Sequence, residues 1–136
     1  MSLKPYIINV LNYHLDGYGH VNNARYLEFL EAARWHFFQQ YGLHESLRAA
    51  NLVVSRIDIR YRRATRLDDE LHIHSQLTVA QSRQIILQQQ ILHAENGYVC
   101  ATAEVTLMPT TIDGRVFRLP DDILQPFSHI ISTNHE

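Results

Sequence analysis

Asn12 to Tyr41 reads NYHLDGYGHVNNARYLEFLEAARWHFFQQY, and this stretch decides the fold. Its first half is loop material: Gly17 and Gly19 with the carboxamides of Asn22 and Asn23, residues that favour turns and helix starts. Its second half winds into a helix beginning at Asn22 or Asn23. At 100° per residue, Tyr26, Phe29, Leu30, Ala33, Phe37 and Tyr41 share one arc, with Leu27 and Phe38 at its edge. Arg25, Glu28, Ala32, His36 and Gln39 lie opposite. Two residues break the pattern. Arg34 falls inside the apolar arc, and Trp35 projects among Glu28, Glu31 and Gln39, as subunit contacts do. Gly42 follows as a helix terminator.

A largely apolar helix needs a sheet to cover it, and the flanking sequence supplies one. Tyr6–Leu11 (YIINVL) is a β-rich run before the loop. After the helix, Ser55–Arg62 alternates Ile57, Ile59 and Tyr61 against Arg56, Asp58, Arg60 and Arg62. Glu70–Val79 alternates Leu71, Ile73, Leu77 and Val79 with polar residues, His72 and His74 among them. In Arg83–Glu95, Ile85, Leu87 and Ile91 share a face, and Asn96-Gly97 marks a hairpin turn. Tyr98–Met108 points Val99, Ala101, Ala103, Val105 and Leu107 inward, and the two alanines leave room for a bulky helix. Asp113-Gly114 closes this strand. The pattern predicts strand, helix, then four strands: an α+β domain over residues 1–136 with an antiparallel sheet of about five strands, and a loose peripheral tail from 115 to 136.

Composition narrows the function. The chain has 136 residues, 46% hydrophobic and 19% charged, with a formal net charge of −2. That balance argues against nucleic acid, whose phosphates call for clustered cations in excess. With Cys100 as the single cysteine, no intrachain disulfide forms. No apolar run approaches membrane-spanning length, and the N-terminal run is too short for a signal peptide, so a cytoplasmic protein without membrane partners is expected. The histidines His14, His20, His36, His72, His74 and His93 are scattered over loop, helix and strands, so no metal is expected.

Asp16 is the prime catalytic candidate. A carboxylate among glycines, seven residues ahead of a helix start, can face whatever binds over the unpaired N–H groups and positive dipole end of that helix. A carboxylate nucleophile or base beside an oxyanion site is the minimum equipment for hydrolysing an activated acyl group. The competing reading is an Asp that only binds its own loop amides. His20 is either a partner of Asp16 or a loop-bracing residue, and Glu31 is either a second acid or a surface charge near Arg34. The cluster Arg56, Arg60, Arg62, Arg63 and Arg66 could grip a phosphate, although Asp58, Asp68, Asp69 and Glu70 interleave with it.

The stretch YHLDGYGHVNNARYLEFLEAARW resembles the signature of the 4-hydroxybenzoyl-CoA thioesterase branch of the hotdog fold, and within it the bacterial long-chain acyl-CoA thioesterases. RIDIRYRRAT extends the similarity, so it covers most of the chain. The resemblance implies a sheet wrapped around the long helix and hydrolysis of a fatty or aryl acyl-CoA, with no cofactor beyond the CoA of the substrate. It implies Asp16 as the catalytic carboxylate and the Asn23 backbone N–H as the donor to the thioester carbonyl. His20, Asn22 and Tyr26 would shape the loop and the acyl or pantetheine channel, and Arg62 and Arg63 would lie towards the CoA phosphates. Sites of this fold form between subunits, which implies a homodimer or homotetramer.

The chain departs from the pattern in places. Some relatives have His where Asn23 stands, and fatty-acyl relatives lack the two glycines of DGYGH. Hotdog enoyl hydratases, an alternative enzyme class, pair an Asp with a His five positions on and an Asn two positions on. Here His20 follows Asp16 by four, and Tyr18 occupies the Asn position. A non-catalytic acyl-CoA-binding or scaffold protein is the remaining alternative.

Overall fold

A computed structural model describes residues 3–133. The helix whose arc dominates the sequence forms as α1, Asn23–Gln40. Tyr26, Phe29, Leu30, Ala33, Phe37 and Phe38 are all buried, while Leu27 at the edge of the arc is exposed. Gly42 ends it in the left-handed region (φ 71°) that glycine adopts without steric cost. There the Gly42 N–H donates to the Gln39 carbonyl and the Leu43 N–H to that of Phe38, which satisfies two orphan carbonyls of the last turn.

Five strands form among the described residues, each over a run expected to be strand, with the second beginning three residues before Ser55. They are β1 (Tyr6–Asn9), β2 (Leu52–Tyr61), β3 (Glu70–Gln81), β4 (Gln84–His93) and β5 (Val99–Pro109). They make one antiparallel sheet in the order β1-β3-β4-β5-β2, so chain-adjacent β3, β4 and β5 form its centre and β1 and β2 its edges. β1 pairs with β3 from Tyr6↔Ile73 to Asn9↔Glu70. It stops two residues short of the predicted Leu11, because Val10 exchanges its backbone bonds with Asp68 and Asp69 instead.

The chain divides by its contacts into two compact units. One takes in the residues through Phe37, Ile59–Ser75 and Gln89–Ala103; the other takes Phe38–Asp58, Gln76–Gln88 and the residues from Glu104 on.

In the first unit, α1 meets β4 through a polar knot inside the apolar contact. Gln89, 2% exposed, donates from Nε2 to the Leu30 carbonyl (3.1 Å) and to Ser75 Oγ (3.0 Å). Its Oε1 accepts from Arg34 Nη1 at 3.3 Å. This accounts for the cation in the apolar arc. Arg34 is buried, and desolvation lowers its pKa against the raising effect of Glu31. Its charge rests on a carboxamide that is itself fully engaged.

Two elements of the second unit depart from the expected order. The segment after α1 is not all sheet: His44–Ala50 forms α2, which buries Leu47 and Ala50. The tail expected to be loose forms α3, Asp121–Thr133, with Pro126 inside it and Phe127 and Ile130 buried. α2 packs against α3. Asp121 and Asp122 in the first turn of α3 suit the positive end of its dipole. Phe127 meets Phe38 edge-on at 5.7 Å, a geometry that ring quadrupoles favour.

Ahead of α1, His14 closes a single 3-10 turn over Asn12–His14. Its Nδ1 accepts from the Leu11 N–H at 2.9 Å, its carbonyl accepts from the Asn22 N–H at 2.8 Å, and its ring stands edge-on to Phe29. Burial lowers its pKa, helped by Arg25 and opposed by Glu28.

Two outcomes follow. Phe127→Ala is expected to cost about 3–5 kcal/mol in urea unfolding, as loss of a fully buried ring does; a loss under about 1 kcal/mol would return the tail to the periphery. For His14, the folded pKa lies below the unfolded value of about 6.5. The unfolded chain therefore binds more protons in that window, and the contribution of His14 is complete above 6.5 and lost as pH falls towards the folded pKa. Wild-type stability should drop with acidification below about 6.5 more steeply than that of His14→Asn, measured side by side from pH 8 to 5.

Candidate active site

Asp16 lies in a miniature hairpin closed by the bridge between Leu15 and Val21. The Asp16 N–H donates to the His20 carbonyl at 2.7 Å. Asp16 Oδ1 accepts the N–H of Tyr18 at 2.8 Å and that of His20 at 3.2 Å. Gly19 turns the loop at φ 79°, which explains the glycine. The reading of Asp16 as a binder of its own loop amides is thus correct for one oxygen. Both bonds fall on Oδ1 and fix the plane of the carboxylate. It is the His20 backbone, and not its imidazole, that meets this carboxylate.

The loop is tied to the helix start. The Val21 N–H donates to the Thr65 carbonyl at 2.9 Å, and Asn22 Oδ1 caps α1 by accepting the Ala24 N–H at 2.9 Å. Asn23 is therefore the first helical residue, and its N–H has no acceptor within the helix. Tyr61 Oη donates to the Asn23 carbonyl at 3.2 Å and pins the same turn from β2.

A cavity of about 300 Å³ opens here, lined by Asp16, His20, Val21, Asn23, Tyr26, Tyr61, Arg62, Arg63 and Ala64. Six residues expected from the sequence line it: Asp16, His20, Asn23, Tyr26, Arg62 and Arg63. Asn22 does not, its carboxamide being committed to the cap. Glu31 is exposed eight residues further along α1, about 12 Å by helical rise, and is not part of the lining.

Tyr26 forms the cavity floor, 4% exposed, its hydroxyl 2.8 Å from the buried Thr65 Oγ1 and its ring edge-on to Tyr61. Burial raises its pKa against the Thr65 hydrogen bond, so it stays a neutral phenol. Two cations and one carboxylate surround the opening. Arg62 and Arg63 leave the end of β2 together, both backbone N–H groups donating to the Cys100 carbonyl at 2.8 and 3.1 Å. This shared acceptor lets consecutive side chains reach one cavity. Cys100 itself is fully buried, its pKa pushed up to about 11 by burial first and then by Asp69, so it packs as a neutral thiol. Among the described residues, no three His, Cys, Asp or Glu side chains stand close enough to hold a metal ion.

Three lining residues were not singled out by sequence reasoning. Val21 and Ala64 carry no chemical signal. Tyr61 was visible only as one of an alternating series, and its bond to α1 depends on tertiary structure.

A carboxylate fixed beside the open N–H of a helix start, with cations at the rim, can direct a nucleophile at a carbonyl held by that N–H. Known proteins share the architecture. The family model of the Thioesterase-like superfamily matches residues 10–127. The chain is 46% identical over 103 residues to the long-chain acyl-CoA thioesterase FadM of Escherichia coli K12, covering 74% of this chain and 78% of that one. Among solved structures, the probable thioesterase YbaW of Escherichia coli superposes with a TM-score of 0.79 at 36% identity, covering 95% of this chain and 99% of the other. A thioesterase from Thermus thermophilus, solved with coenzyme A and Zn, superposes with a TM-score of 0.81 at 26% identity, covering 95% of each chain. The chain belongs to the Thioesterase-like superfamily and has the hotdog thioesterase fold.

Proposed function

We propose that the protein is an acyl-CoA thioesterase that hydrolyses a medium- or long-chain fatty acyl-CoA to the free acid and CoA. The observation that carries this reading is the pairing of a backbone-fixed carboxylate with a helix N-terminus across one cavity. The likeness to FadM, together with the coenzyme A held by the Thermus relative, supports the substrate class.

The thioester carbonyl oxygen sits against the Asn23 N–H, where the dipole end of α1 stabilises developing negative charge. Asp16 Oδ2, the oxygen not bonded to the loop, supplies the nucleophile by attacking the carbonyl carbon or by taking a proton from a water that attacks. The tetrahedral adduct then expels the CoA thiolate, the C–S bond breaks, and the sulfur takes up a proton. On the attack route, water then cleaves the mixed anhydride and frees Asp16. His20 and Tyr26 shape the passage for the pantetheine or acyl arm, Asn22 fixes the helix start that presents the oxyanion donor, and Arg62 and Arg63 meet the CoA phosphates. The working form is at least a dimer, a role in which the half-exposed Trp35 fits a subunit contact.

A purely structural Asp16, holding acyl-CoA without turnover, is the second reading; the loop bonds to Oδ1 favour it. Thiol release from a series of acyl-CoAs decides between them. Wild type should turn over, and Asp16→Asn should lose ~100-fold or more in kcat, because its amide neither attacks nor accepts the proton. Equal rates in both proteins would remove Asp16 from the reaction, and tight binding without turnover would leave the scaffold reading. In a single turnover in heavy-oxygen water, label found in Asp16 identifies direct attack with water opening the anhydride at the aspartyl carbon, whereas label in the free acid alone is common to base catalysis and to water attack at the acyl carbon.

A further inference from the structure

Beside the cavity, Arg63 stands in a stack with Tyr98 and His93, two side chains to which the reaction above gives no part. The Asn96-Gly97 turn brings His93, the last residue of β4, opposite Tyr98, one residue before β5, with the His93 N–H donating to the Tyr98 carbonyl at 2.9 Å and the Gly97 N–H to that of His93 at 2.8 Å. Their rings stack, with centroids 4.8 Å apart and planes inclined by 21°. The Arg63 guanidinium lies over the same Tyr98 ring, 4.6 Å from its centroid. Behind the stack, His93 is locked on both nitrogens. Nδ1 accepts the Asn96 N–H at 3.2 Å, which places the proton of the neutral ring on Nε2, 3.3 Å from Asp69 Oδ1. The other Asp69 oxygen accepts the Arg66 N–H at 2.9 Å. Both Asp69 oxygens are thus engaged, so this carboxylate holds the histidine while the guanidinium rests on an aromatic face, which leaves its N–H edges for a ligand.

An exposed arginine loses several rotors when it grips an anion, and a ring that already holds it removes part of that cost. We infer that Tyr98, braced by His93 and Asp69, is the positioning residue for Arg63, setting its guanidinium at the cavity rim so that the enzyme selects thioesters whose thiol half carries nucleotide phosphates. This rests on the acyl-CoA thioesterase reading and assigns to the β4–β5 hairpin the choice of the leaving half of the substrate.

The test compares an acyl-CoA with the same acyl group on pantetheine, which lacks the nucleotide. Tyr98→Leu should lower kcat/KM for the acyl-CoA about tenfold through KM, with kcat held, and leave the acyl-pantetheine unchanged. Tyr98→Phe keeps the ring and should keep wild-type discrimination. Arg63→Gln, at an exposed side chain, should match Tyr98→Leu, and the double variant should lose no more than either single one. Equal loss on both substrates, a loss in kcat, or failure of Tyr98→Phe to preserve discrimination would overturn the assignment. If wild type hydrolyses neither substrate, the activity reading fails by itself. Calorimetric titration with CoA and with pantetheine then decides the Tyr98 role: an equal effect of Tyr98→Leu on both ligands rejects it, and weakening of CoA alone sustains it.

Discussion

The structure depends on one constraint: the apolar arc of α1 must be covered, and it carries a cation at Arg34 that is buried with it. A buried guanidinium without a partner costs several kcal/mol, on the order of what holds a small domain together. Gln89 meets that demand. Placed on the face that Ile85, Leu87 and Ile91 use, it offers an acceptor to Arg34 and directs its donors to the Leu30 carbonyl and Ser75. Apolar burial supplies the force between helix and sheet but is non-directional. The carboxamide is directional, and so it sets how far along β4 the helix comes to rest. The helix start, with Asn23 and Tyr26, is placed relative to the strands by the same interaction.

From that placement the site assembles through backbone bonds. The Asp16 loop is fastened to its own amides, the Val21 N–H to the Thr65 carbonyl, and the Asn22 N–H to the His14 carbonyl. A backbone group takes part in each of these bonds, and the Tyr61 and Arg25 side chains add ties at the helix end, to the Asn23 and Tyr13 carbonyls. Such a site is organised before any ligand arrives, which is where electrostatic stabilisation has most effect.

Elements with long, regular apolar periods were legible in the sequence: α1 by its arc, and β3 and β5 by strict alternation. So was much of the cavity lining, since Asp16, Asn23 and Tyr26 fall on one continuous signature. α2 was not legible, because the seven residues of HESLRAA are too few to establish a period. α3 was not legible, because Pro126 stands inside it where a proline disfavours a helix, although Asp121 and Asp122 followed by apolar residues at helical spacing gave a usable start signal. The role of Gln89 lay beyond local reading, since a glutamine in a run of three shows nothing until Arg34 is opposite. Tyr61 and Tyr98 belong with it: each acts on a residue distant in sequence.

The strand order has a consequence for the chain as it is made. β2 is synthesised directly after α1 and α2, yet among the described residues its neighbour in the sheet is β5, the last of the five strands in chain order. Until Val99–Pro109 leaves the ribosome, β2 lacks its partner strand in the sheet. The β3–β4 hairpin can form early from local contacts, whereas the sheet completes only by closing a long loop, a slow step for nascent chains. During that interval the backbone edge of β2 is open to pairing with other chains.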